Sequence, residues 1–133
     1  MISIIGLKNA GKTTFLMALA AELARRKFRV MTIKHDIEES DPIALARRSR
    51  TGADMVLAEG FEEARLPKIE VYRRVAGPKP IFDPEKHDPG DWVAMVTDDA
   101  EFRAPFPVFR FSDTSWLVTV ANLVWDRAKI LPP

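Results

Sequence analysis

The chain has 133 residues and a formal net charge of +1, from 20 basic and 19 acidic side chains. So even a balance gives no electrostatic case for bulk binding to nucleic acid or a membrane surface, and the lack of cysteine excludes disulfides, thiolate metal sites and cysteine nucleophiles. A hydrophobic content of 47% suits one globular domain with its own core, and no apolar run approaches the ~18 residues of a membrane span.

The first element is Met1-Ile2-Ser3-Ile4-Ile5, an apolar run that reads as a buried strand; no basic leader precedes an apolar core, so no signal peptide is expected. Gly6 to Thr14 follow, GLKNAGKTT, which fits G-x-x-x-x-G-K-[ST] through Gly6, Gly11, Lys12 and Thr13. Such a loop must take several negative charges out of water without abandoning them. Glycines allow the tight turn that aims successive N–H groups inward, and the following helix offers its unsatisfied amides and positive dipole end to the same anion. In this reading the backbone of Gly6, Leu7, Lys8, Asn9, Ala10, Gly11, Lys12, Thr13 and Thr14 cradles a phosphate tail. Lys12 reaches its outer phosphates, and the Thr13 hydroxyl helps to hold Mg²⁺. An exposed glycine turn with a solvated lysine is the plainer alternative, and the strand before and helix after argue against it.

Residues 13–27 set Phe15, Leu16, Leu19 and Leu23 at helical spacing, and Arg25-Arg26-Lys27 fall where that helix ends and complement its dipole. Arg29 to Lys34 read as a second strand with Lys34, His35 and Asp36 at its C-terminal end. Asp41 before Pro42 marks a helix start, and Thr51-Gly52 its stop. Arg47, Arg48 and Arg50 form a basic group near the expected ligand end of the sheet. Met55 to Ala58 are apolar throughout, as central parallel strands are, and end in Glu59-Gly60. Lys68 to Val75 alternate, as a strand with one buried face does. Residues 77–90 carry four prolines and read as a loop, in which His87 is expected to be solvated. Strands are expected at Trp92–Val96 and Pro107–Phe111, and Asp113 should cap a last helix with a stripe of Trp116, Leu117, Val120, Leu123 and Val124.

Strands alternating with helices imply a P-loop NTPase-type three-layer α/β/α fold with a mostly parallel central sheet. Ligands of such sheets lie beyond the strands' carboxyl ends. Three groups fall there: the phosphate loop, Lys34-His35-Asp36, and Glu59-Gly60. Glu59 is placed to assist Mg²⁺ or merely to cap a loop; Asp36 to orient a water or ligand; His35 to line the site or serve structure. Lys34-x-Asp36 imitates the end of the guanine-reading N-K-x-D motif, but Ile33 replaces the asparagine and the strand is too early. Asp98 or Asp99, after a later strand, is better placed to meet a base. No arginine finger in cis is evident, and no residue stands out for activating water, so fast hydrolysis is not expected.

The segments GLKNAGKTT, TIKHD, DPIALARRSRTGAD and VLAEGFEEARLPKIEVYR together resemble the MobB family, the molybdopterin-guanine dinucleotide biosynthesis adaptor proteins. The matching positions are the loop, Lys34-His35, Asp41 with Arg47 or Arg48, Gly52-Ala53, Val56 to Phe61, and Lys68-Ile69. The likeness is good over about residues 1–75 and looser beyond. It implies a cytoplasmic, dimeric, Mg·GTP-binding adaptor with weak GTPase activity at most. Such an adaptor assists the nucleotidyltransferase that attaches GMP to molybdopterin, or delivers the cofactor to molybdoenzymes. Carried over, Gly6 to Thr14 bind phosphates, Thr13 and Glu59 serve the metal, and Lys34-His35 lie beside the nucleotide. Two departures stand out. The Gly-Ala and E-G-F segments, separated by tens of residues in the family, are fused here, and Glu62-Glu63 replace a lysine after E-G-F. A small-molecule kinase using the same loop, with arginines 47, 48 and 50 as its lid, is the rival reading. An interaction module with a vestigial nucleotide site is a third.

Overall fold

The computed structural model describes residues 1–34 and 52–128. Six strands form one sheet: β1 (Ile2–Ile5), β2 (Val30–Lys34), β3 (Met55–Glu59), β4 (Lys68–Tyr72), β5 (Trp92–Thr97) and β6 (Val108–Arg110). Helix α1 spans Lys12–Arg25 and α2 spans Trp116–Ala128. The strand order is β2-β3-β1-β4-β5-β6, and each of the five pairings is parallel. This is the parallel α/β fold of P-loop proteins that the strand–helix alternation implies. The expected helix between Asp41 and Arg50 lies outside the described residues.

The first strand in sequence is thus an inner strand in space, and all four of its residues are buried. Its Ile2 and Ile4 join Leu57, Ile69, Val71 and Val96 on one face. Phe15, Leu16, Leu19 and Leu23 of α1 and Val120, Ala121 and Val124 of α2 cover that face. Full burial of each such side chain is worth roughly 1.5–3 kcal/mol. Loops cover the opposite face: Phe82 packs on Ile5, Tyr72, Trp92 and Met95, and Phe61 packs on Ile33 and Ala58. The two helices are tied at their exposed side by Arg26. It pairs with Glu22 of α1 at 2.8 Å and donates to Asn122 Oδ1 of α2 at 2.7 Å. The cap-stabilising basic group thus also clamps one helix to the next.

Residues 68–75 depart from the expectation of one buried face. The strand stops at Tyr72, and all five of its residues are buried, because β1 and β5 flank it and both sheet faces are covered. The alternating polar residues are interior groups with partners. Lys68 Nζ donates to the carbonyls of Ala64 at 2.8 Å and Leu66 at 3.0 Å, and burial lowers its pKa. The Glu70 carboxylate, fully buried, accepts from Ile81 N, from Phe82 N at 3.0 Å and from Trp92 Nε1 at 3.1 Å. Burial raises its pKa, and the same N–H donors oppose that rise. Through these bonds Glu70 pins the proline-rich loop to the sheet. His87 is also part of that loop's scaffold rather than solvated: its Nδ1 accepts from Asp83 N at 2.9 Å, and its ring lies 5.1 Å from that of Trp92. Asp113 acts one turn ahead of α2, where its Oδ1 accepts from Ser115 N and Oγ and its carbonyl from Trp116 N.

Candidate functional site

Because the six strands are parallel, their carboxyl ends share one edge of the sheet. Gly6, Gly60, Arg73, Asp98 and Phe111 follow five of these ends. The loop from Gly6 to Gly11 leaves β1 between β3 on one side and β4 on the other. Gly6 is buried against the β4 backbone: a Cβ built there would lie 2.6 Å from the Val71 carbonyl oxygen and 3.1 Å from Lys12 Cγ. That second distance shows the Lys12 side chain folding back across the start of the loop. The loop closes through Ala10 N, which donates to Leu7 O at 3.1 Å. Asn9 (φ 70°) and Gly11 (φ 89°) both take the left-handed conformation that turns it into α1. Lys8, Asn9, Thr13 and Thr14 are exposed, whereas Ala10 is buried and anchors the turn.

Helix α1 begins without a side-chain cap on Gly11 and without an acidic residue in its first turn. Its leading N–H groups are therefore left for an outside acceptor, and its dipole favours an anion there. Thr13 lies in this turn, and its Oγ1 donates to Glu59 Oε1 at 3.1 Å. Glu59 ends β3, in register with Ile4 on one side and Lys34 on the other. Gly60 (φ 94°) then turns the chain away, its N–H bonded to Ile4 O at 3.0 Å. The hydroxyl that opens one helix and the carboxylate that ends the neighbouring strand thus converge, although 46 residues separate them in sequence. Among the described residues no cluster of three or more histidine, aspartate or glutamate side chains offers an all-protein metal cage. One hydroxyl and one carboxylate suit Mg²⁺, which keeps several waters and takes phosphate oxygens as further ligands.

Lys34 is exposed at the end of β2, beside Glu59 in the ladder. His35, Asp36 and the arginines at 47, 48 and 50 lie outside the described residues. Asp98 and Asp99 stand after β5 as expected. Asp98 Oδ1 accepts from Arg74 N at 2.9 Å, which ties the end of β5 to the segment after β4, and Asp99 Oδ1 accepts from Glu101 N at 3.0 Å in a local turn. They line a cavity of about 850 Å³ with Tyr72, Arg74 and Pro78. Arg73, which closes the KIEVYR segment of the family resemblance, was given no role by sequence reasoning. Placed just past β4, it donates from Nε to Ala10 O at 3.1 Å, in the middle of the phosphate loop. Its position after the last residue of an inner strand was the available signal, masked by the assumption that the strand ran on to Val75.

The model of one family, "Molybdopterin guanine dinucleotide synthesis protein B", matches the chain in two stretches, residues 1–46 and 39–98. Together they reach from residue 1 to residue 98 of 133. None of the curated proteins matches. Among solved structures, a MobB protein homolog from Bacillus stearothermophilus is 24% identical. The match covers 95% of this chain and 98% of that one, with a TM-score of 0.64. MobB of Bacillus subtilis is 17% identical over 92% of this chain and 96% of its own, also at 0.64. A third structure, of molybdopterin-guanine biosynthesis protein B, is 20% identical over 94% and 97%, with a TM-score of 0.65. At these identities the structural likeness establishes the fold. Among the described residues no helix is long and apolar enough to cross a membrane.

Proposed function

Because the chain belongs to the family of molybdopterin guanine dinucleotide synthesis protein B, we propose that it is a cytoplasmic Mg·GTP-binding adaptor of molybdenum cofactor maturation, with slow GTP hydrolysis at most. The observation that carries the nucleotide reading is the contact between Thr13 Oγ1 and Glu59 Oε1, set at the uncapped start of α1. In this reading the amides of residues 6–14 receive the phosphates, and Lys12 neutralises the outer ones. Thr13 and Glu59 hold Mg²⁺, Glu59 through water. When bound, the ion offsets phosphate charge and fixes the tail's conformation. Lys34 lines the neighbouring flank with Gly60, and His35 and Asp36, which follow it in sequence, are assigned to nucleotide binding. The free oxygens of Asp98 or Asp99 accept the guanine N1–H and N2–H.

Charge neutralisation, with no group among the described residues dedicated to activating water, favours holding the nucleotide over turning it over. That suits an assistant to guanylyl transfer onto molybdopterin, or to delivery of the finished cofactor to molybdoenzymes, acting as a homodimer. Calorimetric titration of Mg·GTP and Mg·ATP into wild type and Lys12→Ala tests the reading. GTP binding that is lost in the variant, with ATP much weaker, is expected. Equal binding of the two nucleotides, or a preference for ATP, would replace the adaptor by a phosphoryl-transfer enzyme, and binding of neither would end the nucleotide reading.

A further inference from the structure

Arg73 is a half-buried cation with little to neutralise it. Its Nε is bonded to Ala10 O at 3.1 Å, and its guanidinium carbon lies 3.9 Å from the centroid of the Phe111 ring. Gly11 abuts the same group: a Cβ there would be 3.3 Å from Nε and 4.0 Å from a terminal nitrogen. Among the described residues no carboxylate pairs with Arg73, and its terminal nitrogens have no acceptor. A group of this kind is usually paired when it leaves water. Here it is spent on one peptide carbonyl of the phosphate loop, and an aromatic face holds it flat.

The identity of that carbonyl matters. A trans peptide is planar, with its C=O and N–H pointing in opposite directions. Anchoring Ala10 C=O on Arg73 therefore turns the Gly11 N–H away from Arg73 and into the loop. The left-handed φ of Gly11 continues this peptide into α1. Phe111 in turn meets Trp116, and Trp116 stacks on Phe15 of α1. The guanidinium is thus braced by the end of β6 and by both helices.

We propose that Arg73 is a positioning residue of the phosphate loop. By holding the Ala10 carbonyl it presents the Gly11 N–H to a phosphate oxygen of the bound nucleotide, and its terminal nitrogens add positive charge beside the loop. This rests on the nucleotide reading above, and the test separates the two. Mg·GTP and inorganic tripolyphosphate are titrated into wild type, Arg73→Ala, Arg73→Lys and, as a charge control, Lys86→Ala, an exposed cation of the proline-rich loop. The Gly11 amide is followed by ¹H–¹⁵N NMR.

Arg73→Ala is expected to weaken both ligands alike, by about 10- to 100-fold, the effect of one lost charge-assisted hydrogen bond and its charge. The downfield movement of the Gly11 amide proton on adding tripolyphosphate should disappear. Arg73→Lys keeps a donor within reach of Ala10 O and should stay within a few-fold of wild type, as should Lys86→Ala. If Arg73→Ala unfolds, a further variant, Arg73→Met, which fills the space beside Phe111 without a donor or a charge, decides: a matching loss of affinity and of the Gly11 shift supports the proposal, and their retention overturns it. Loss of GTP affinity without loss of tripolyphosphate affinity, or a Gly11 shift that persists in Arg73→Ala, would also overturn it. Failure of wild type to bind either ligand would instead remove the nucleotide reading itself.

Discussion

Replacing Gly6 with alanine strikes the point where the sheet and the phosphate loop share atoms. Its cost can be worked from distances. The added Cβ would lie 2.6 Å from the Val71 carbonyl oxygen, whereas real Cβ atoms stay beyond 3.0 Å and ordinary carbon–oxygen contacts begin near ~3.3 Å. A separation of about 0.4–0.7 Å must therefore be found. Val71 cannot supply it cheaply, because it lies in the ladder that ties β4 to β5, opposite Val96. The second neighbour, Lys12 Cγ at 3.1 Å, belongs to the lysine assigned to the phosphates. The loop must move outward instead, carrying its N–H groups with it. Overpacking of this kind costs roughly 1–3 kcal/mol of stability. Misaligned donors should weaken Mg·GTP by about tenfold or more, since ~1.4 kcal/mol corresponds to a factor of ten. Urea unfolding and equilibrium titration on Gly6→Ala measure the two effects separately. A matched Gly90→Ala, whose Cβ meets only the Asp88 carboxylate at 3.2 Å, should lose far less stability. A Gly6→Ala protein as stable as wild type, with affinity within twofold, would refute the packing argument and the assigned role of the loop together.

Thr13→Ala removes the hydroxyl but leaves the loop backbone intact. GTP binding in EDTA should therefore be nearly unchanged, while the gain from adding Mg²⁺ shrinks several-fold; an undiminished Mg²⁺ effect would take Thr13 out of the metal site. Glu70→Leu deprives three N–H groups of their acceptor at about 1–3 kcal/mol each, partly offset by no longer burying a carboxylate. A net loss of ~2–4 kcal/mol should appear as a fall of about 1–2 M in the urea midpoint, and an unmoved midpoint would contradict the pinning role. Acid provides a third check. Hydrogen bonds from Arg25, then Arg26, hold the Glu22 carboxyl at about 2, below its usual 4.5. A depressed folded pKa contributes stability that is present above about 4.5 and is lost as pH falls toward 2. The stability difference between wild type and Glu22→Gln should therefore narrow across that window, and a constant difference would show that the ion pairs do not contribute.

The strand, loop and first helix were legible because the chemistry constrains residue types closely. Only glycines at those spacings, followed by Lys12 and Thr13, make the turn into α1. Glu59 was legible for a topological reason: a carboxylate closing an apolar strand must stand at the ligand edge of a parallel sheet. The register with Ile4 then brings it to Thr13. What was lost lay in β4. Polar residues at every second position imply an exposed face when sequence alone is available. Glu70 is buried only because residues farther along the chain, Ile81, Phe82 and Trp92, supply its donors, and Lys68 because the turn before the strand offers it the carbonyls of Ala64 and Leu66. Misplacing the end of that strand also hid Arg73, whose role depends on Ala10, 63 residues earlier.

The inner position of β1 sets an order on how the chain can come together. The loop that follows it comes before its supports in the chain, because β1 has no ladder partner until β3 and β4 exist, and β4 ends at Tyr72. Gly6 acquires its wall only from Val71, and Ala10 its brace only from Arg73. An anion arriving before those residues are in place meets a flexible peptide without a cradle, and pairings of such long sequence separation form slowly. A ligand of this loop can therefore act as a late lock on the fold, stabilising by mass action a sheet already built through at least its fourth strand. It cannot serve as a template on which the first strand and helix assemble.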